Sequence, residues 1–308
     1  MPAEIFGEKY EFLPRQDILT FEEIERIARV TAELGVNKIR VTGGEPLLRR
    51  EIETLIQNLS KIPGIDDLTL TTNGVLLKEK ALGLHESGLS RVTVSLDSLD
   101  PDVFRTLAGR DESPQTVIEA IEAADRAGLG PIKINAVVKR GVNDHTFLDL
   151  ARHFHGTPHI LRFIEYMDVG NRNDWKLDHV VPAEEIISRI NDILPLDQID
   201  PNYTGEVARR YRYVDGGGEI GVIASVTRPF CGDCTRLRLS TDGKLFTCLF
   251  GSSGTDMREE IRSGASDQDL RERIESVWTK RVDRYSEERT GQTSSNSVEK
   301  VEMYQIGG

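Results

Sequence analysis

Lys38-Ile39-Arg40-Val41-Thr42-Gly43-Gly44-Glu45-Pro46 is the stretch on which the fold class turns. Its first five residues form a β-prone run in which Arg40 sits between apolar neighbours, and two glycines and a proline end it. Upstream, Thr20-Phe21-Glu22-Glu23 is a capping box, Ile24, Ile27, Ala28 and Leu34 mark one apolar face, and Gly35 closes a helix. Downstream, the strand candidates are Leu68 to Thr72, Arg91 to Leu96, Ile132 to Val138 and Ile160 to Tyr166. Helical stretches separate them. One begins with Ser113 as N-cap and Pro114 as its first residue, and Val117, Ile118, Ile121 and Ala124 keep helical spacing. Repeated strand-then-helix order implies an α/β fold with a parallel sheet, doubly wound or closed towards a barrel.

Parallel strands present their C-terminal ends on one side, where ligand chemistry gathers. The polar clusters sit at those ends: Gly43 to Pro46, Thr71-Thr72-Asn73-Gly74, Ser95-Leu96-Asp97-Ser98 and Met167-Asp168. Paired glycines admit a ligand close to the backbone, and Glu45 offers a carboxylate to an ammonium group. Each cluster alone would read equally well as a plain turn. Arg40 and Lys133 alternate with apolar neighbours inside strands, so both should point into the barrel lumen, where a cation needs an anionic partner.

From about Val181 the pattern changes. A helix from Pro182 to Ile193 precedes a hairpin around Asp215-Gly216-Gly217-Gly218, a cysteine segment, and two helices reaching about Val282. We therefore expect two regions, 1–180 and 181–308. Glu287 to Glu299 is polar and poor in apolar residues, which predicts a mobile segment with Arg289 on its exposed surface. There are no internal repeats.

The formal charge of −12 argues against a nucleic-acid surface, which needs clustered Lys and Arg, but permits a small anion gripped locally. No apolar run approaches a membrane span and the start has no signal pattern, so the expected location is the cytoplasm. The three cysteines all lie between Cys231 and Cys248. An odd, clustered set points to a reduced metal site rather than a disulfide framework.

Cys231-Gly232-Asp233-Cys234 is followed, after thirteen intervening residues, by Cys248. A hairpin with Thr235 to Ser240 and Lys244 to Thr247 as strands and Thr241-Asp242-Gly243 as turn would bring the three thiols together. Structural zinc is a rival, but a closed zinc site takes four ligands, and the nearest upstream histidine, His179, lies 52 positions before Cys231. An iron–sulfur cluster on three cysteines leaves one iron open to substrate, which suits the odd count. Unligated thiols are the third alternative. Strand parity puts Cys234, Arg236 and Arg238 on one face and Leu237 and Leu239 on the other, so two forked cations should border the thiols.

Together these motifs resemble the GTP 3′,8-cyclases of molybdenum-cofactor biosynthesis, within the radical S-adenosylmethionine superfamily. Gly-Gly-Glu-Pro is similar to the methionine-binding element of that superfamily. C-x2-C-x13-C with the following R-L-R-L, and the terminal Gly307-Gly308, are similar to the cyclase signatures. The resemblance covers Met1 to Gly308 and implies an incomplete TIM-like barrel with a C-terminal iron–sulfur extension. It implies S-adenosylmethionine contacts at Gly44, Glu45, Ser95 and Met167, and GTP contacts at Arg40, Thr71, Lys133, Arg236 and Arg238. Arg162 would be a cation near the reacting ligands, Gly307 and Gly308 a tail entering the active site, and Cys231, Cys234 and Cys248 the ligands of a substrate-binding [4Fe-4S] cluster.

The implied reaction converts GTP into 3′,8-cyclo-7,8-dihydro-GTP. The implied partners are cyclic pyranopterin monophosphate synthase downstream and an electron donor, with homodimerisation left open and neither nucleic acid nor membrane involved. A second [4Fe-4S] cluster is implied on a C-x3-C-x2-C motif that the family pattern places before Met1. As written, the 308 residues are expected neither to cleave S-adenosylmethionine nor to cyclise GTP. The rival readings are another radical enzyme with an auxiliary cluster, such as a peptide-modifying maturase, and a non-catalytic nucleotide-binding iron–sulfur protein.

Overall fold

Thr20 caps the first helix as its sequence requires. Its hydroxyl accepts from the Glu23 amide at 3.2 Å, and the Glu23 carboxylate accepts from the Thr20 amide at 2.8 Å, which satisfies two end donors reciprocally. The computed structural model describes residues 13–109, 111–170, 175–289 and 300–307. Helix α1 (Phe21–Glu33) leads into β1 (Lys38–Val41), followed by α2 (Ile52–Ser60), β2 (Asp67–Thr72), α3 (Leu77–Glu86) and β3 (Arg91–Ser95). Next come α4 (Pro101–Ala108), α5 (Pro114–Arg126), β4 (Lys133–Val138), α6 (Phe147–Phe154), β5 (Ile160–Glu165) and α7 (Ala183–Asn191). Ser113 caps α5 through the Gln115 amide, ahead of Pro114.

The main sheet runs β1-β2-β3-β4-β5-β8-β7-β6. Strands β1 to β5 and β8 (Glu219–Ile223) are parallel, whereas β7 (Arg209–Tyr213) and β6 (Leu196–Ile199) pair antiparallel. The hairpin expected around Asp215 to Gly218 is the β7–β8 connection. Leu68, Leu70, Val92, Val94, Ile134, Ala136, Leu161 and Phe163 alternate out of one sheet face and are nearly inaccessible, packed with α2, α3, α5, α6 and α7 in one core. With helices on this face alone, the opposite face lines a lumen. Among the described residues the sheet ends at β1 and β6 without closing, as in an incomplete TIM-like barrel.

A second core joins the C-terminal region to α1. Leu245 and Met257 pack with Leu19, Ile27, Val30, Leu270 and Ile274, where β9 (Arg238–Leu239), β10 (Lys244–Phe246) and β11 (Thr255–Asp256) form a small antiparallel sheet. Helices α8 (Met257–Arg262) and α9 (Asp267–Thr279) follow, then α10 (Tyr285–Glu288) and α11 (Met303–Ile306). Among the described residues no helix is long and apolar enough to cross a membrane.

Candidate active site

Parity along the strands gathers a set of cations in the lumen. Arg40 on β1 donates from Nη1 to the hydroxyls of Thr71 at 3.0 Å and Thr93 at 3.2 Å, on the next two strands. Asn135 on β4 pairs in register with Arg162 on β5 and accepts from its Nε at 3.0 Å. Arg162 is 8% exposed, and burial together with Arg40 pulls it down to about 9. Lys133 is likewise lowered, to about 7, because burial removes it from water and the charges of Arg162, Arg91, Lys38 and Arg40 oppose its own. Burial also lowers Arg40, with Arg91 opposing its charge. Asp67 is committed to Lys38 and Arg91 at the other end of the sheet. Like charges gathered in one lumen, with their desolvation only partly offset, are suited to an anionic partner.

At the strand ends Gly43 adopts φ +135°, outside the range that side-chain-bearing residues favour. Gly44 lies in the same turn. Glu45 then caps a short 3₁₀ turn: its carboxylate accepts from the Leu47 amide at 3.0 Å, the Thr72 hydroxyl at 2.8 Å and the Asn73 amide at 2.8 Å. Three internal donors thus fix this carboxylate, and it ties the β1 turn to the end of β2. Ser95 ends β3 opposite Asn135. Met167 packs against the cluster of Ile164, Ala208 and Ile223, as does Phe230, the residue before Cys231.

The cysteine segment faces the lumen. Arg236 is one of the charges that depress Arg40, and a side chain at Gly205 would strike the Asp233 carbonyl. Arg236 donates to the Cys234 sulfur at 3.2 and 3.3 Å and lies over the Phe230 ring at 5.2 Å. Burial alone would raise the Cys234 thiol, but Arg236 and Arg281 bring it below its ordinary value, whereas burial raises Cys248. Arg281 donates to the carbonyls of Cys234 at 2.6 Å and Cys231 at 3.4 Å. Burial pulls Arg238 down to about 10, with Arg236 adding to the fall and Cys234 and Cys248 opposing it. Its buried Nη1 has no hydrogen-bond partner among the described residues.

The hairpin is shorter than its sequence predicts. Thr235 to Leu237 is not strand, because the chain leaves the Cys231–Cys234 turn, closed by the Cys234 amide on the Cys231 carbonyl, irregularly and Arg236 folds back onto the sulfur. The parity nevertheless holds, with Arg236 and Arg238 towards the thiols and Leu237 and Leu239 on the second core. The expected gathering of thiols is looser than read: among the described residues, no three His, Cys, Asp or Glu side chains form a group that could hold a metal ion. The donor set still fits a thiolate-bound cluster better than a closed zinc site, since the segment supplies three half-buried free thiols bordered by cations.

Gly307 ends α11 with φ +70° against Thr42, at the C-terminal end of β1. Gly308 lies outside the described residues. The C-terminal segment therefore reaches the turn that follows β1.

Two family models match the chain: Radical SAM superfamily over residues 5–154 and Molybdenum Cofactor Synthesis C over 159–287. A GTP 3′,8-cyclase of Acidothermus cellulolyticus is 50% identical over 331 aligned positions, spanning 100% of this chain and 91% of that protein. The chain belongs to the GTP 3′,8-cyclase family. The Staphylococcus aureus cyclase is 45% identical, again over 100% of this chain and 91% of the other. The crystal structure of Streptococcus suis SuiB aligns with 56% of this chain and 39% of its own, at 22% identity and a TM-score of 0.47.

Sequence reading missed Asn135 and Thr93, which orient Arg162 and Arg40, and Arg281, which braces the cysteine turn. Asn135 and Thr93 carried a readable signal, since each shares lumen parity with an assigned residue on its own strand. Arg289 is a correction. It is 4% exposed and paired with Asp168, because Phe250, Tyr285 and Trp175 enclose its guanidinium. The rest of the segment expected to be mobile, from residue 290 on, lies outside the described residues.

Proposed function

We propose that this chain forms the nucleotide site of a GTP 3′,8-cyclase, with the triphosphate on Arg40, Lys133 and Arg162 and the purine end beneath Arg236 and Arg238. The observation that supports it most is the meeting of two cation sets in one lumen, the buried strand-borne set and the arginine pair beside the three thiols. Arg40 and Arg162 are already oriented by Thr71, Thr93 and Asn135, so little side-chain freedom is lost on binding. Arg238, with its unsatisfied donor, suits a purine oxygen, and charge-assisted contacts of this kind contribute roughly 1.5–3 kcal/mol each.

On this reading Cys231, Cys234 and Cys248 would hold the [4Fe-4S] cluster. Gly44, Ser95 and Met167 would hold S-adenosylmethionine at the strand ends, and Glu45 would add a carboxylate near its ammonium. Bound S-adenosylmethionine, reduced through the second cluster implied on the C-x3-C-x2-C motif, would supply the one-electron chemistry that turns GTP into 3′,8-cyclo-7,8-dihydro-GTP, and the cluster on the three cysteines would hold the guanine end of the substrate. The chain's own residues would bind the triphosphate, orient the base and exclude water, with Gly307 set against Thr42 at the end of β1 and Gly308 as the tail's expected contribution to the active site. The regions 1–180 and 181–308 then contribute the barrel cations and the cysteine arm respectively. Cyclic pyranopterin monophosphate synthase would consume the product, and an electron donor would supply the reducing equivalent.

Calorimetric titration of GTP into the anaerobically reconstituted chain tests the assignment. Arg238→Gln and Arg162→Gln should each weaken binding roughly tenfold or more. Wild-type affinity in both variants would refute the site.

A further inference from the structure

Asp168 follows Met167 just beyond β5, and its carboxylate is 4% exposed. Three groups from later in the chain converge on it. Arg289 Nη2 lies 2.7 Å away, Lys300 Nζ is 3.0 Å away, and the Tyr285 hydroxyl donates to it. Lys300 Nζ also donates to the Asp168 carbonyl at 3.1 Å. Burial would raise this carboxyl, but Tyr285, Arg289 and Lys300 together keep it below its ordinary value.

The cluster touches both arms of the site. Tyr285 stacks on Phe250 at 4.6 Å, two residues beyond Cys248. Lys300 opens the segment that ends at Gly307, and the Val301 amide donates to the Gly251 carbonyl at 3.1 Å. Glu302 lies against Gly170, where any side chain would overlap its carboxylate. The strand end beneath is rigid: buried Glu165 accepts from the amides of Ala183 at 2.7 Å, Val226 at 2.7 Å and Thr227 at 2.8 Å.

We propose that Asp168 is a positioning residue whose ion pair with Lys300 holds the 300–307 segment against Thr42 and, through Tyr285 and Phe250, ties it to the Cys248 loop. Its bearing on catalysis rests on reading this end of the barrel as the nucleotide site, whereas the docking of the segment rests on the contacts alone. A charged, buried carboxylate at the strand end gives the incoming segment a fixed address, because departure of the segment would take the Lys300 ammonium from a carboxylate that stays buried.

Hydrogen-exchange mass spectrometry on the full chain tests it, following the amides of Val301, Gln305 and Gly307, all hydrogen-bonded when the segment is docked. Asp168→Asn should speed their exchange roughly tenfold or more while β2 to β4 keep their protection. Lys300→Met, which leaves Arg289 on the carboxylate, should do the same, and the double variant should exchange no faster than the faster single one. Unchanged exchange in the segment, equal acceleration in the sheet, or additive effects would overturn the proposal. GTP titration of the same samples keeps the two readings apart. A wild-type chain with a protected segment and no GTP affinity would refute the nucleotide site and leave the Asp168 role standing.

Discussion

Gly307 meets Thr42 so closely that a side chain at Gly307 would overlap the threonine methyl. Sequence places these residues at opposite ends of the chain; the fold brings the C-terminal segment to the turn after β1. The contact also requires φ +70°, so two independent constraints select glycine there.

Gly307→Ala should therefore release the segment. At φ +70° and ψ 149° the backbone is essentially confined to glycine and costs another residue roughly 1–3 kcal/mol, which predicts about tenfold faster tryptic cleavage after Lys300. Mass spectrometry of the fragment ending at Lys300 measures this, and an unchanged cleavage rate would speak against a docked segment.

Lys133 should make GTP binding take up protons. Its ammonium, pushed down to about 7, is largely neutral in the free chain at pH 8, and a bound triphosphate restores the charge. Affinity should fall as pH rises above 7. Calorimetry in buffers of different ionisation enthalpy should show uptake approaching one proton at pH 8, and Lys133→Met should abolish it. Equal heats across buffers would count against Lys133 as a phosphate contact. The same group affects stability with a definite sign. The unfolded chain, with Lys133 near 10.5, binds more protons than the fold between pH 7 and that value, so stability should rise with pH across this window. Lys133→Met should flatten that rise, as read from denaturation midpoints.

Arg289→Ala should destabilise the fold by about 2 kcal/mol, less than the 3–5 kcal/mol of a fully orphaned buried partner, because Lys300 stays on Asp168. Arg126→Ala, whose side chain is 68% exposed, should stay within about 0.5 kcal/mol. Urea denaturation compares the two; equal midpoints would mean that the Asp168–Arg289 pair contributes no stability.

The sheet was legible because period-two runs and capping residues are local signals. Thr20, Ser113 and Pro114 act within a few residues of themselves, and each strand from β1 to β5 lies where its apolar alternation puts it. The lumen orientation of Arg40 and Lys133 followed from the same parity. Arg289 was misread because its burial depends on Asp168, Trp175 and Phe250, three residues distant in sequence. A polar composition around residue 289 carries no trace of a pocket built elsewhere. The cysteine hairpin was half legible: the turns and facing side chains follow from spacing, but strand length depends on how Arg236 folds onto Cys234. The three-donor seat of Glu45 was likewise invisible, since two of its donors come from β2 and the residue after it.

If Cys231, Cys234 and Cys248 hold an iron–sulfur cluster beside the arginine pair, as proposed, iron, sulfide and zinc analysis after anaerobic reconstitution of the wild-type chain and of Cys248→Ser will reveal it. One [4Fe-4S] cluster per wild-type chain, lost in the variant, is the expected result. Stoichiometric zinc without sulfide, or a cluster undiminished in Cys248→Ser, would overturn the assignment.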